Sequence, residues 1–134
     1  MEIFDPIRRK MVARTPEEEV RQHLIAWLTT DRKVPQTLMR SEFGFEYNGR
    51  RYRADILVFD RALKPLLLVE CKAPDVRLDE TVIDQALRYN RVLQVKYILI
   101  GNGKTAYLCK WNPERGLYET ATSLPTYPEM LAEE

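Results

Sequence analysis

Seven residues in the middle of the chain, Leu66-Leu67-Leu68-Val69-Glu70-Cys71-Lys72, constrain the fold most. A run so nearly apolar cannot face water on either side, so it predicts a central strand covered on both faces. Such a strand needs a layer above and a layer below, and the flanking periodicities supply them. Thr15-Pro16-Glu17-Glu18 is a helix start, with threonine as N-cap, proline at the first helical position and Glu18 three residues after the cap. Val20, Leu24, Trp27 and Leu28 then repeat at helical spacing until Asp31, which predicts a helix over about 16–30. Asp79 caps a second helix over about 80–94, with Val82, Ile83, Ala86, Leu87 and Leu93 as its core side.

Residues 38–47 and 50–59 are strand-like and joined by Asn48-Gly49, the dipeptide that a tight type I′ hairpin turn selects. Residues 95–101 form another buried strand, and Asn102-Gly103 turns the chain into a last strand over 105–111. Residues 1–14, with Arg8, Arg9, Lys10 and Arg14, show little periodicity and read as an arm or lead-in strand. Residues 112–134, with Pro113, Pro125 and Pro128, read as a tail of loop and a last short helix. The 134 residues therefore predict one α/β domain, a mixed β-sheet flanked by helices, in the order helix, three strands, helix, two strands.

Composition narrows the function classes. Lys+Arg 21 against Asp+Glu 20 gives a net charge of +1, so no global basic excess points to nucleic acid, although a local basic face is compatible with it. Two cysteines are too few for a disulfide framework and lack zinc-ligand spacing, and the one histidine argues against a His-rich metal site or a Ser-His-Asp triad. With no apolar run of transmembrane length and no secretory signal, the expectation is a cytoplasmic domain with no membrane partner.

The chemistry is concentrated where polar residues interrupt the apolar strands. Alternation sets Leu66, Leu68, Glu70 and Lys72 on one face of the central strand and Leu67, Val69 and Cys71 on the other. In the preceding strand Asp55 enters the run Ile56-Leu57-Val58-Phe59. If the two strands are neighbours, Asp55 and Glu70 converge, and two ionised carboxylates in a half-dry site call for a cation between them. An oxygen-rich site with few protein ligands suits Mg²⁺ or Mn²⁺, and Lys72 beside it can hold or activate a water. The competing reading is that Glu70, Lys72, Asp55 and Arg53 form ordinary ion pairs at strand ends.

At these residues the chain resembles the PD-(D/E)XK nuclease superfamily, and more narrowly the N-terminal nuclease domain of type I restriction enzyme R subunits. Asp55 matches the first acid, Glu70-Cys71-Lys72 the (D/E)-X-K element, and Gln85-Ala86-Leu87-Arg88-Tyr89 the Q-x-x-x-Y signature on the following helix. The similarity runs from 15–22 (TPEEEVRQ) to 102–111 (NGKTAYLCKW). It implies a restriction-endonuclease-like sheet (αβββαβ plus an extra strand) and Mg²⁺- or Mn²⁺-dependent hydrolysis of DNA phosphodiesters. In that reading Asp55, Glu70 and the backbone carbonyl of Cys71 hold the metal and Lys72 positions the water. Gln85 and Tyr89 line the cleft, Tyr89 nearest the DNA. The family often adds an acid from the first helix. Glu17 falls on the Val20 side, whereas Glu18 points away and has a capping role, so Glu17 is favoured with Glu18 as the alternative. Ala54 stands where the superfamily name has proline, and the chain carries no motor domain. This implies a stand-alone relative or an excised piece, with a motor or specificity subunit in trans as a partner besides DNA. One such site cuts one strand, which leaves room for a homodimer.

Arg50, Arg51 and Arg53 after the hairpin turn, with the arm's Arg8, Arg9, Lys10 and Arg14, are the candidate phosphate-contacting surface. Gly101-Asn102-Gly103-Lys104-Thr105 is a hairpin turn and not a P-loop, because Ile98 stands where a glycine is required and a strand follows. Cys71 is expected to be a small buried hydrophobe, His23 solvated, and Trp27 and Trp111 in the core. Two functions follow: a metal-dependent endonuclease domain, or a nuclease fold kept as a non-catalytic nucleic-acid or protein interaction module.

Overall fold

The computed structural model describes the backbone of residues 1–134 and every side chain except those of residues 89–91. A two-stranded antiparallel hairpin, β1 (Glu2–Asp5) and β2 (Lys10–Ala13), precedes helix α1 (Pro16–Thr30). After a short 3₁₀ turn come β3 (Met39–Tyr47), β4 (Arg50–Phe59) and β5 (Pro65–Cys71), then helix α2 (Glu80–Leu93). The chain closes with β6 (Tyr97–Gly101), β7 (Ala106–Asn112), β8 (Leu117–Thr120) and the short helix α3 (Tyr127–Ala132). Strands β3 to β8 form one six-stranded sheet in chain order, antiparallel throughout except for the parallel β5–β6 pair that α2 connects.

The elements form for the reasons their residues supply. Asn48 and Gly49 both take positive φ, 51° and 76°, as a type I′ turn requires. Thr15 Oγ1 accepts the Glu18 N–H at 3.0 Å, so the predicted cap is made. Strand β5 lies between β4 and β6 and is buried from Leu66 to Cys71, which explains its composition. On one face its Leu67, Val69 and Cys71, and Leu66 off strict alternation, pack with Ile25 and Leu28 of α1, Tyr127 and Met130 of α3, and Met39, Val58 and Leu99. On the other face Ala54, Leu57, Leu68, Ile98, Ile100 and Cys109 surround Ala86 of α2, with Val82, Ile83, Leu87 and Leu93 at the rim.

Three expectations need correction. The arm over 1–14 is a hairpin, with Glu2 opposite Ala13 and Asp5 opposite Lys10. Its turn is built by Asp5, whose Oδ1 accepts the N–H groups of Ile7 and Arg8 at 2.8 and 3.2 Å, and strands of four residues are too short to show a period. The tail adds strand β8, turned by Asn112 and by Gly116 at φ 66°, before the expected short helix. Trp111 is on the surface, tilted against Tyr118 with ring centroids 5.0 Å apart, near the end of β7, whose outer neighbour is the four-residue edge strand β8. Cys71 is buried and His23 exposed, as read from the sequence.

Candidate active site

Strands β4 and β5 pair antiparallel through Val58–Leu67, Leu57–Leu68 and Ile56–Val69, and the ladder stops there. The next positions in the same register are Asp55 and Glu70. The Asp55 charge acts on Glu70, so the two carboxylates lie within electrostatic reach of one another where the ladder ends. Asp55 Oδ2 takes over from the ladder by accepting the Cys71 N–H at 2.7 Å. Strict alternation would put Asp55 on the α2 side with Leu57. Instead Ala54 packs on that side, and Asp55 Oδ1 lies 3.7 Å from Arg21 Nη2 of α1. Residue 55 is thus a break in the pleat that swings a carboxylate out of the sheet's regular pattern.

Glu70 is 7% exposed, and its Oε1 is buried without a hydrogen-bond partner among the described residues. Its Oε2 lies 3.9 Å from Lys72 Nζ, just beyond the end of β5, where the Lys72 N–H continues the ladder to Gly101 O at 2.9 Å. Burial, and then the Asp55 charge, push the Glu70 carboxyl up to about 8 against the opposing pull of Lys72. Burial also raises Asp55, against the Cys71 N–H and the charges of Arg21, Lys72 and Arg53. A buried acid with one oxygen unsatisfied next to another buried acid lacks either a proton or a cation. The donor set is all oxygen, which suits a hard divalent ion. Among the described residues no group of three or more acidic, histidine or cysteine side chains is placed to hold a metal, so the protein side chains offered are this pair.

The first-helix acids differ from expectation. Glu18, expected to point away and complete a capping box, is 6% exposed and faces inward. It accepts from Arg8 Nη2 at 2.7 Å and from Gln22 Nε2 at 3.0 Å, while Thr15 N–H goes to Ala13 O. Burying Glu18 is possible because arginines reach it from the hairpin and from one turn along α1. Glu17 is half-exposed, 3.7 Å from Arg21 Nη2, and its charge is felt at Glu70 and Cys71. Of the remaining candidates, Arg53 is exposed but close enough to bear on Asp55, whereas Arg50 and Arg51 are exposed at the far end of the hairpin, with Arg51 3.5 Å from Glu46. Gln85 is exposed on α2, and the Tyr89 side chain lies outside the described residues.

Sequence reasoning missed Arg21, Glu42 and the inward role of Arg8. Arg21 is 3% exposed on the buried face of α1, beside Val20, Ile25 and Leu28. It binds Glu42 at 3.0 Å and stands 3.7 Å from each of Glu17, Glu18 and Asp55. Arg8 is bonded to Asp5 and Glu18 and lies 3.3 Å from Glu42. The signal was available: an arginine next to Val20 on a helix, three and four residues after two glutamates, sits where a buried ion pair forms. Glu42 is marked by a positive φ of 54°, which its sequence position gives no reason to expect.

A family model of the type I restriction enzyme R protein N terminus matches residues 16–125. The chain belongs to this family. A search of the curated proteins finds no significant match. Among solved structures the chain is similar to a fragment assigned to the HsdR subunit of a type I restriction enzyme from Vibrio vulnificus YJ016. The TM-score is 0.49 and the identity 21%, over 70% of this chain and 20% of that one. This chain therefore spans about a fifth of that chain's length. The match to the R protein N terminus begins at the first residue of α1 and takes in Arg21, Asp55, Glu70 and Lys72. It leaves the β1–β2 hairpin, with Arg8, outside. No helix of the described residues is long and apolar enough to cross a membrane.

Proposed function

We propose that this chain is a metal-dependent DNA endonuclease domain of PD-(D/E)XK type that serves restriction–modification. The observation that carries the reading is the Glu70 carboxylate, buried with an unpartnered oxygen at the point where β4 and β5 part beside Asp55. Asp55, Glu70 and the Cys71 carbonyl would hold a single Mg²⁺ or Mn²⁺. Such an ion supplies Lewis-acid polarisation of a phosphate oxygen and lowers the pKa of water. The protein's own part is positional. The Cys71 N–H fixes Asp55 by one oxygen at the point where the β4–β5 ladder ends. Lys72 stands 3.9 Å from Glu70, where its ammonium can orient a water toward phosphorus and balance charge on the phosphate. Glu17 is the first-helix acid that serves the site, since Glu18 is held by two arginines. Arg53, with Arg50 and Arg51 further along the hairpin, would contact the DNA backbone, and Gln85 and Tyr89 would line the cleft from α2. Base-specific contacts are not needed from this domain if a partner subunit brings it to its DNA.

The test is nicking of supercoiled plasmid in Mg²⁺ or Mn²⁺ by the wild type, Asp55→Ala and Lys72→Ala. Wild-type cleavage that both variants lose is expected. Equal cleavage by all three would remove the site assignment. No cleavage by any, with the protein folded, would favour a binding module or a domain that needs its partner.

A further inference from the structure

We propose that Arg21 is a resident counter-cation of the carboxylate site, a positioning residue that holds Asp55 in the metal-free protein and opposes the incoming divalent ion. The inference rests on the metal-binding reading of Asp55 and Glu70. Arg21 is almost fully buried, and its guanidinium is surrounded by acids from three elements. Nη1 lies 3.0 Å from Glu42 of β3 and 3.7 Å from Glu18 of α1, and Nη2 lies 3.7 Å from both Glu17 and Asp55. Its Nε has no partner among the described residues, so the side chain is not held by an optimal fork to any single carboxylate. Arg21 is shared among four acids, two of which, Glu18 and Glu42, Arg8 also reaches.

Asp55 is clamped from both sides. Oδ2 accepts the Cys71 N–H, and Oδ1 faces Arg21. A divalent ion on Asp55 must therefore approach a carboxylate already partly neutralised, with a guanidinium next to it. Like charges at such distances in a half-buried site repel by more than they would in water. Arg21 thus has two opposite effects: it keeps the acids assembled while the site is empty, and it weakens the ion's hold. DNA phosphate brings further negative charge, so tight metal binding is deferred until substrate is present.

The experiment is titration calorimetry of Mn²⁺ into DNA-free wild type, Arg21→Gln and Arg21→Lys protein, with thermal unfolding of each in chelator. Arg21→Gln is expected to bind Mn²⁺ about tenfold more tightly, or about 1.4 kcal/mol, and to unfold at a lower temperature in chelator. Arg21→Lys should restore both values toward wild type. A purely structural arginine predicts lower stability with unchanged or weaker Mn²⁺ binding, and that result overturns the proposal. If Arg21→Gln does not fold, Arg21→Gln with Glu18→Gln removes one buried charge of each sign, and the same tightening is required of it. Failure of the wild type and of both Arg21 variants to bind Mn²⁺ would refute the metal reading, and this proposal with it. Binding by the wild type without tightening in the variants would refute this proposal alone.

Discussion

Glu70→Gln should stabilise the metal-free protein while removing its response to metal. The carboxyl of Glu70 is pushed from 4.5 to about 8 by burial and by Asp55. Between those two values the folded state keeps a proton that the unfolded chain releases. Stability therefore falls as pH rises from about 4.5 to about 8 and levels off above that. Each pH unit in this window is worth about 1.4 kcal/mol, so at pH 7 the acid costs the fold about 3 kcal/mol. Glutamine has nearly the same shape and no charge to desolvate. The substitution should recover up to ~3 kcal/mol at pH 7, close to a 10 °C rise in Tm for a chain of this size, and almost nothing at pH 4.5. Urea unfolding in chelator at pH 4.5, 6 and 7.5 measures this, with Mn²⁺ added in a parallel series. The wild type should lose stability across the series and regain it with Mn²⁺, whereas Glu70→Gln should vary less with pH and gain little from the ion. A destabilised Glu70→Gln protein at pH 7.5, or a wild type as stable in chelator at 7.5 as at 4.5, would mean that the buried Glu70 carboxyl does not hold its proton in the folded state.

Two further outcomes test the frame around the site. Arg8→Ala leaves the buried acids Asp5 and Glu18 with fewer partners, and should cost about 2–3 kcal/mol and open the β1–β2 hairpin to limited proteolysis before Thr15. Gly49→Ala places a side chain at φ 76° with open space around it, so its cost is backbone strain alone, about 1 kcal/mol, read as a shift in the urea midpoint without a change in slope.

The elements that could be read from the sequence are those whose signal is local and repeated. Asn48-Gly49 specifies its turn through the φ values it permits. The capped, periodic segments gave α1 and α2 to within a residue, and the apolar run gave β5 because burial on both faces leaves no polar positions. The strand pair at the site was legible for the same reason: a carboxylate in an otherwise dry strand stands out. What escaped depends on contacts between distant segments. The β1–β2 hairpin and β8 are four residues per strand, too short for a period. Placing Glu18 outward followed from the apolar stripe alone. The stripe is rotated because Arg8, ten residues earlier, supplies the charge that lets Glu18 turn inward and Arg21 lie buried against the sheet. Trp111 was assigned to the core by its size, yet the strand that carries it has only β8 beyond it.

Anomalous diffraction from crystals of the protein soaked in Mn²⁺ decides whether Asp55 and Glu70 form a metal-binding centre where the β4–β5 ladder ends. One strong anomalous peak is expected within coordination distance of both carboxylates and the Cys71 carbonyl, absent from Asp55→Ala crystals. A peak elsewhere, or none at this pair at saturating Mn²⁺, would contradict it.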